Sequence, residues 1–208
     1  MNAGLLPIKS PTRAKQRLAP GLSDAAHREI TEALLEDALD FCGRTNEIRW
    51  WVISDDENVR TRAQDRGLDA VADEGIGLNE AIRVGIDTVE AKGAASVIVI
   101  PGDVPLAQPE DADDLLDTGA FSEVVVVPSS DGGTNGLYFD LPTAMEPRFG
   151  PDSLRAHVEE AQRLGLRCSI LDLPRVALDL DTVEDARLLL ESGEDGGRTL
   201  EVVERLLD

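Results

Sequence analysis

Lysine is nearly missing from this chain: there are three (Lys9, Lys15 and Lys92) among 208 residues. The 20 basic residues face 41 acidic ones, a formal charge of −21. No basic stripe exists to neutralise a run of phosphates, which argues against a general nucleic-acid binder. The acids are scattered along the chain, so there is no acidic tail either. Cysteine is scarce as well. Cys42 and Cys168 lie far apart, form no CxxC pair and sit among apolar residues, so two reduced core thiols are expected. No apolar run reaches 18 residues and no signal peptide opens the sequence, so a soluble, cytoplasmic protein without membrane contact is expected. The P-loop pattern GxxxxGK[ST] and internal repeats are also absent.

What is present is an apolar framework. Hydrophobic residues make up 42% of the chain and recur throughout, which argues against disorder. One domain over residues 1–208 is expected, long enough to bury roughly 70% of its unfolded surface. The acidity has its own physical consequence. At about 1 M salt the Debye length is roughly 3 Å, which screens repulsion between surface acids. In dilute buffer the same repulsion opposes the compact state. Adaptation to high salt is therefore expected, an acidic protein of ordinary salt being the alternative.

Apolar runs predict strands at Ala3–Ile8, Ile48–Ser54, Leu68–Ala72, Ser96–Pro101, Glu123–Pro128, Thr134–Phe139 and Arg167–Leu173. Helical spacing predicts helices at Ser23–Cys42, Asp56–Arg66, Leu78–Lys92, Pro109–Asp117, Asp152–Leu164, Val183–Glu191 and Thr199–Leu207. Residues 191–198 read as a flexible link to the last short helix. The alternation predicts an α/β fold with a mostly parallel sheet flanked by helices on both faces. Thr134–Phe139 follows its predecessor too closely for a crossover, so it is expected to run antiparallel. Ligands of such sheets bind beyond the carboxyl ends of the strands, where the polar and glycine-rich segments of this chain fall.

Those segments carry the candidate chemistry. Asp179 and Asp181 sit at i and i+2 in a stretch that reads as extended, so both carboxylates share one face. Asp103 follows the apolar run Val97–Ile100. Three carboxylates at strand ends suggest a Mg²⁺ site and phosphate chemistry. Asp181 also has a simpler use as a helix N-cap with Glu184 at N3, and both uses stay open. Lys9, Arg13, Lys15 and Arg17 place four cations within nine residues after the first strand, a suitable clamp for a triphosphate. In Asp73–Glu80 the glycines permit close backbone approach, while Asn79 and Glu74 could read a base. Asp131–Gly136 is a glycine-rich turn with Thr134 and Asn135 as donors, and Arg148–Ser153 opens a helix whose free N–H groups suit an anion. Each of the last three is, taken alone, an ordinary turn or cap. His157 is expected to be structural and His27 to lie on the surface.

Taken together these segments resemble the 2-phospho-L-lactate guanylyltransferase family of the deazaflavin coenzyme pathway. The resemblance rests on Lys15-x-Arg17-Leu18-x-Pro20, Asp73-Glu74-Gly75 with Gly77-Leu78-Asn79, and Gly102-Asp103-x-Pro105-Leu106. It continues through Asp131-Gly132-Gly133-Thr134-Asn135, Arg148-Phe149-Gly150-x-x-Ser153 with His157, and Leu178-Asp179-x-Asp181-Thr182. It implies a nucleotide-diphospho-sugar transferase (Rossmann-like) fold and guanylyl transfer from GTP to 2-phospho-L-lactate. It implies that Asp103, Asp179 and Asp181 hold Mg²⁺, and that Lys15, Arg17 and Asp103 are catalytic. Lys9, Glu74, Gly77 and Asn79 would bind the nucleotide; Thr134, Asn135, Gly150 and Ser153 would bind the acceptor. A homodimer is also implied. The acidic, lysine-poor composition resembles that of haloarchaeal cytoplasmic proteins. Phosphoenolpyruvate and 3-phosphoglycerate are alternative acceptors, since each also carries a phosphate near a carboxylate. A molybdopterin guanylyltransferase, a non-catalytic nucleotide-binding module and a purely structural acidic protein are the competing readings. The Gly-Gly loop typical of the molybdopterin branch is lacking, and Lys9, Lys15 and Arg17 stand in its place.

Overall fold

The computed structural model describes residues 1–10, 18, 22–75, 77–194 and 196–207. Among the described residues seven strands form one sheet: β1 (Asn2–Pro7), β2 (Ile48–Ser54), β3 (Asp69–Ala72), β4 (Ser96–Val99), β5 (Val124–Pro128), β6 (Thr134–Asp140) and β7 (Cys168–Ile170). Among the described residues the helices are α1 (Asp24–Arg44), α2 (Glu57–Asp65), α3 (Leu78–Ala91), α4 (Pro109–Gly119), α5 (Ser153–Leu164), α6 (Pro174–Ala177), α7 (Val183–Glu191) and α8 (Gly197–Leu207).

The sheet order is β3-β2-β1-β4-β6-β5-β7. All pairings are parallel except those of β6, which runs antiparallel to both β4 and β5. Adjacent residues on each central strand enter opposite layers, as the period of two requires. Leu6, Trp50, Ile98 and Val125 join the cluster beneath α1, α2 and α4. Their neighbours Leu5, Trp51, Val97 and Val124 join the cluster beneath α3 and α5. Burial on both faces explains why β4 and β5 read as unbroken runs of β-branched residues. A third cluster, with Leu18, Ile30, Leu34, Leu106, Leu180, Leu189 and Val203, joins α1, α7 and α8.

The differences from expectation lie near the site. The run Ser96–Pro101 leaves the ladder after Val99, although Ile100 N–H still donates to the Leu5 carbonyl at 3.2 Å and Gly102 N–H to that of Pro7 at 3.2 Å. The predicted strand Arg167–Leu173 shrinks to three residues because Pro174 starts α6, a short helix the periodicity does not reveal. The segment with Asp179 and Asp181 belongs to no ladder; it crosses between α6 and α7. Among the described residues, no helix is long and apolar enough to cross a membrane.

α8 starts two residues earlier than predicted, at Gly197, because α1 supplies its cap. Asp37 accepts from Arg198 N at 3.2 Å and from Thr199 N and Oγ1 at 2.7 Å each. It also pairs with the Arg198 guanidinium at 3.2 Å. Asp37→Ala removes this cap from a distant helix and should cost about 2 kcal/mol in urea unfolding. A loss within error of zero means the apolar face of α8 docks without it.

Candidate active site

β4 lies on one side of β1 and β2 on the other, so the chain reverses its direction of travel at β1 and opens a crevice beyond the carboxyl ends of β1 and β4. β6 runs the other way, so its amino end reaches the same edge. Pro128 at the end of β5 pairs with Thr134 at the start of β6. The turn between them is tied by Ser129 N–H to the Gly133 carbonyl at 3.1 Å and by Gly133 N–H to Asp131 Oδ1 at 3.0 Å. A Cβ at Gly133 would stand 2.6 Å from Ser129 Oγ, so that hydroxyl would have to shift to admit one.

The segment after α6 is stitched to this edge from two sides. Leu180 N–H donates to the Asp103 carbonyl at 3.0 Å. On the other side, Asn135 Nδ2 donates to Asp179 Oδ1 at 3.2 Å and to the Ala177 carbonyl at 3.3 Å, and Ser130 N–H donates to that same carbonyl at 2.9 Å. Leu180 is fully buried, whereas Asp103, Asp179 and Asp181 are half-buried. The loop after β4 and the segment with Asp179 and Asp181 are thus joined through the main chain of Asp103 and Leu180, not through adjacent strands. Among the described residues no three acids or histidines close into a ready cage for a metal ion. The donors are nonetheless hard carboxylate oxygens, which suit Mg²⁺. That ion is usually held by one or two carboxylates plus substrate phosphates, not by a dedicated all-protein cage. The N-cap of α7 is Thr182 with Asp185 at N3, in place of the expected Asp181 and Glu184; Thr182 Oγ1 accepts from Asp185 N at 3.2 Å.

At the start of β6 and of α5, Thr134 and Ser153 are buried and their hydroxyl oxygens lie 3.1 Å apart. His157, fully buried on α5, places Nδ1 3.0 Å from Thr134 Oγ1 and accepts from Arg148 N at Nε2, 2.9 Å. Gly150, at φ +136°, turns the chain into α5 in a conformation that only glycine adopts freely. Glu74 is exposed on the loop after β3, and Gly77, at φ +128°, is the N-cap of α3. Asn79 gives one N–H to the Phe149 carbonyl at 3.0 Å and takes the Phe149 N–H at 2.7 Å, which leaves a single amide N–H to face a ligand. Lys9 is exposed at the end of β1. Lys15 and Arg17 lie outside the described residues.

The guanylyl transferase CofC-like family matches residues 2–206. The chain belongs to this family. A phosphoenolpyruvate guanylyltransferase of Conexibacter woesei is 36% identical over 194 residues, 90% of this chain and 86% of the relative. A 2-phospho-L-lactate guanylyltransferase of Methanothermobacter thermautotrophicus is 36% identical over 191 residues, 91% and 84%. A 3-phospho-D-glycerate guanylyltransferase of Phenylobacterium zucineum is 33% identical over 212 residues, 99% and 97%. In fold the chain is similar to a structure from Desulfovibrio desulfuricans assigned to the nucleotide-diphospho-sugar transferases (TM-score 0.78, 16% identity, 99% and 97% covered). It is also similar to a manganese complex from Mycobacterium tuberculosis (TM-score 0.56, 22% identity, 92% and 98% covered).

In this guanylyltransferase the link between Asn79 and Phe149 has no local sequence signal, since 70 positions separate the partners. The same holds for Asp111, buried at the start of α4, which takes a two-pronged ion pair from Arg175 on α6 at 2.8 and 3.0 Å. His157 carries a sharper electrostatic signature. Burial, with Arg148 nearby, pushes its ring down to about pKa 4. The unfolded ring takes up a proton near pH 6.5 while the folded one stays neutral, so the unfolded state binds more protons between those values. Acidification from pH 6.5 to 4 should therefore cost the wild type up to about 3 kcal/mol more than His157→Asn loses. Parallel stability curves for the two proteins in denaturant titrations would contradict this.

Proposed function

We propose that this guanylyltransferase moves GMP from GTP to 2-phospho-L-lactate, giving lactyl-2-diphospho-5′-guanosine and pyrophosphate in deazaflavin coenzyme formation. The bond from Leu180 N–H to the Asp103 carbonyl, with Asn135 bound to the neighbouring Asp179, is the observation that supports it. An oxygen of the acceptor phosphate attacks the α-phosphorus in line; the bond to the β-phosphate breaks and its electron pair leaves with pyrophosphate. No covalent link to the protein is needed, so the residues act by positioning and by offsetting charge.

In this proposal Lys9, Lys15 and Arg17 hold the triphosphate and offset charge on the departing pyrophosphate. Glu74, Gly77 and Asn79 face the guanine and ribose. Thr134, Asn135, Gly150 and Ser153 hold the phosphate and carboxylate of the acceptor. Asp103, Asp179 and Asp181 would hold Mg²⁺, which would supply positive charge to offset that of the phosphoryl oxygens. The manganese in the mycobacterial neighbour supports a divalent ion in this fold. Asp103→Ala should lower pyrophosphate release from GTP plus acceptor at least about 100-fold. Turnover near that of the wild type takes Asp103 out of the site.

Phosphoenolpyruvate is the second acceptor to test, because its guanylyltransferase is as similar to this chain as that for phospholactate. Turnover with the two acids and 3-phosphoglycerate in competition decides among them. Dependence on high salt, a cytoplasmic location and a homodimer complete the proposal. The charge of −21 supports the first. Exposed Ile170, at the end of the outer edge strand β7, and exposed Phe121, in the turn before β5, support the dimer. The thermal midpoint should rise steadily from about 0.1 to about 2 M KCl as repulsion is screened. Light scattering over the same range should give twice the chain mass; a flat midpoint removes the first idea and a monomer the second.

A further inference from the structure

His157 stands where the two halves of the acceptor site meet, and only one tautomer of its ring satisfies both. A backbone N–H can only donate, so the approach of Arg148 N to Nε2 (2.9 Å) makes Nε2 the acceptor and puts the ring proton on Nδ1. Nδ1–H then donates to Thr134 Oγ1 at 3.0 Å, and Ser153 Oγ lies 3.1 Å from the same oxygen. His157 is 0% exposed, so water does not readily make up a missing partner of the ring.

Counting hydrogens shows what the tautomer controls. The two hydroxyls bring two hydrogens, and one is used between them. With a proton on Nδ1 the ring gives a hydrogen and takes none, so one hydroxyl hydrogen is left over. Among the described residues neither Thr134 nor Ser153 has a further side-chain partner to absorb it. In the other tautomer Thr134 would donate to Nδ1 and Ser153 to Thr134. Both hydrogens would be consumed, and Arg148 N–H would face another N–H.

We infer that His157 is a positioning residue that keeps the Thr134–Ser153 pair supplying one hydrogen-bond donor to the anionic group of the acceptor. This rests on the proposal that those two hydroxyls hold the acceptor. The ring is itself well fixed. Phe149 lies edge-on at 5.2 Å between centroids, and Asn79 at the start of α3 clamps the main chain of Phe149. The nucleotide side therefore reaches Thr134 through Asn79, Phe149, Arg148 and His157. A neutral ring is required throughout, since a cationic one would carry donors on both nitrogens and lose the Arg148 bond; its depressed basicity keeps it neutral.

The experiment is steady-state kinetics with the acceptor and GTP varied separately. His157→Asn keeps an N–H close to the Nδ1 position, and His157→Leu keeps none. The leucine variant should raise the acceptor KM at least about tenfold and leave the GTP KM within about threefold; asparagine should restore the acceptor KM to within about threefold of wild type. Thr134→Val should raise the acceptor KM similarly, and adding His157→Leu to it should cost little more. If Thr134→Val leaves the acceptor KM alone, the acceptor assignment fails. If Thr134→Val raises it but leucine does not, or if leucine and asparagine behave alike, the positioning role fails. A test that needs no variant is ¹⁵N NMR of the side chains of the two histidines. His157 should be protonated on Nδ1, and a ring protonated on Nε2 overturns the inference.

Discussion

The hydrogen bond from Leu180 N–H to the Asp103 carbonyl joins the two segments that carry the acids of the site, and its integrity depends on packing far from the crevice. Leu180 is held in the cluster built by α1, α7 and α8. Burying that side chain draws Asp179 and Asp181 against the loop after β4. The cap that Asp37 gives to α8 is therefore linked to the chemistry: it secures the helix that covers the cluster that seats Leu180. The outermost helices act as a support for the carboxylates.

The reversed strand β6 matters for the same geometric reason. In a purely parallel sheet, only the carboxyl ends of strands reach the crevice. An antiparallel strand inserted between β4 and β5 brings its amino end there, so Thr134 and Asn135 arrive on rigid backbone instead of on a long loop. Asn135 then bonds to Asp179, and Thr134 meets Ser153 and His157. One strand start thus contacts Asp179 through Asn135 and the Ser153–His157 group through Thr134.

Charge is distributed with a similar economy. The acidic face of α1 carries Glu29, Glu32, Glu36, Asp37 and Asp40, and arginines from α2 and α8 clasp it on both sides. Arg62 meets Glu32 at 2.7 Å and also Glu36; Arg66 meets Glu36; Arg198 meets Asp40 at 2.6 Å; and Arg205 meets Glu29. Such partly exposed pairs are individually worth at most about 1 kcal/mol. They use up cations in a chain with 41 acids and only 20 bases, so many acids remain facing like charge. Salt weakens the pairs but screens the larger sum of repulsions.

The apolar periodicity by itself determined the strands, the long helices and the layers they form, because burial on a pleated strand or a helical face imposes a local repeat; the reversal of β6 followed from a connection too short for a crossover. The strand Ile48–Ser54 and the helix Val183–Glu191 have the expected ends. The glycine-rich turns and the polar loops at the strand ends were legible for a related reason: each segment must present polar atoms at the end of a buried element. Tertiary structure alone decided the contacts between those segments. Nothing in the residues around Asn79 foretells a bond to Phe149, and nothing near Asp111 foretells Arg175. The capping of α7 by Thr182, the short α6 and the single tautomer of His157 were settled in the same way. Hydrogen-bond partners that lie tens of residues apart leave no periodic trace, because their pairing depends on how whole layers stack.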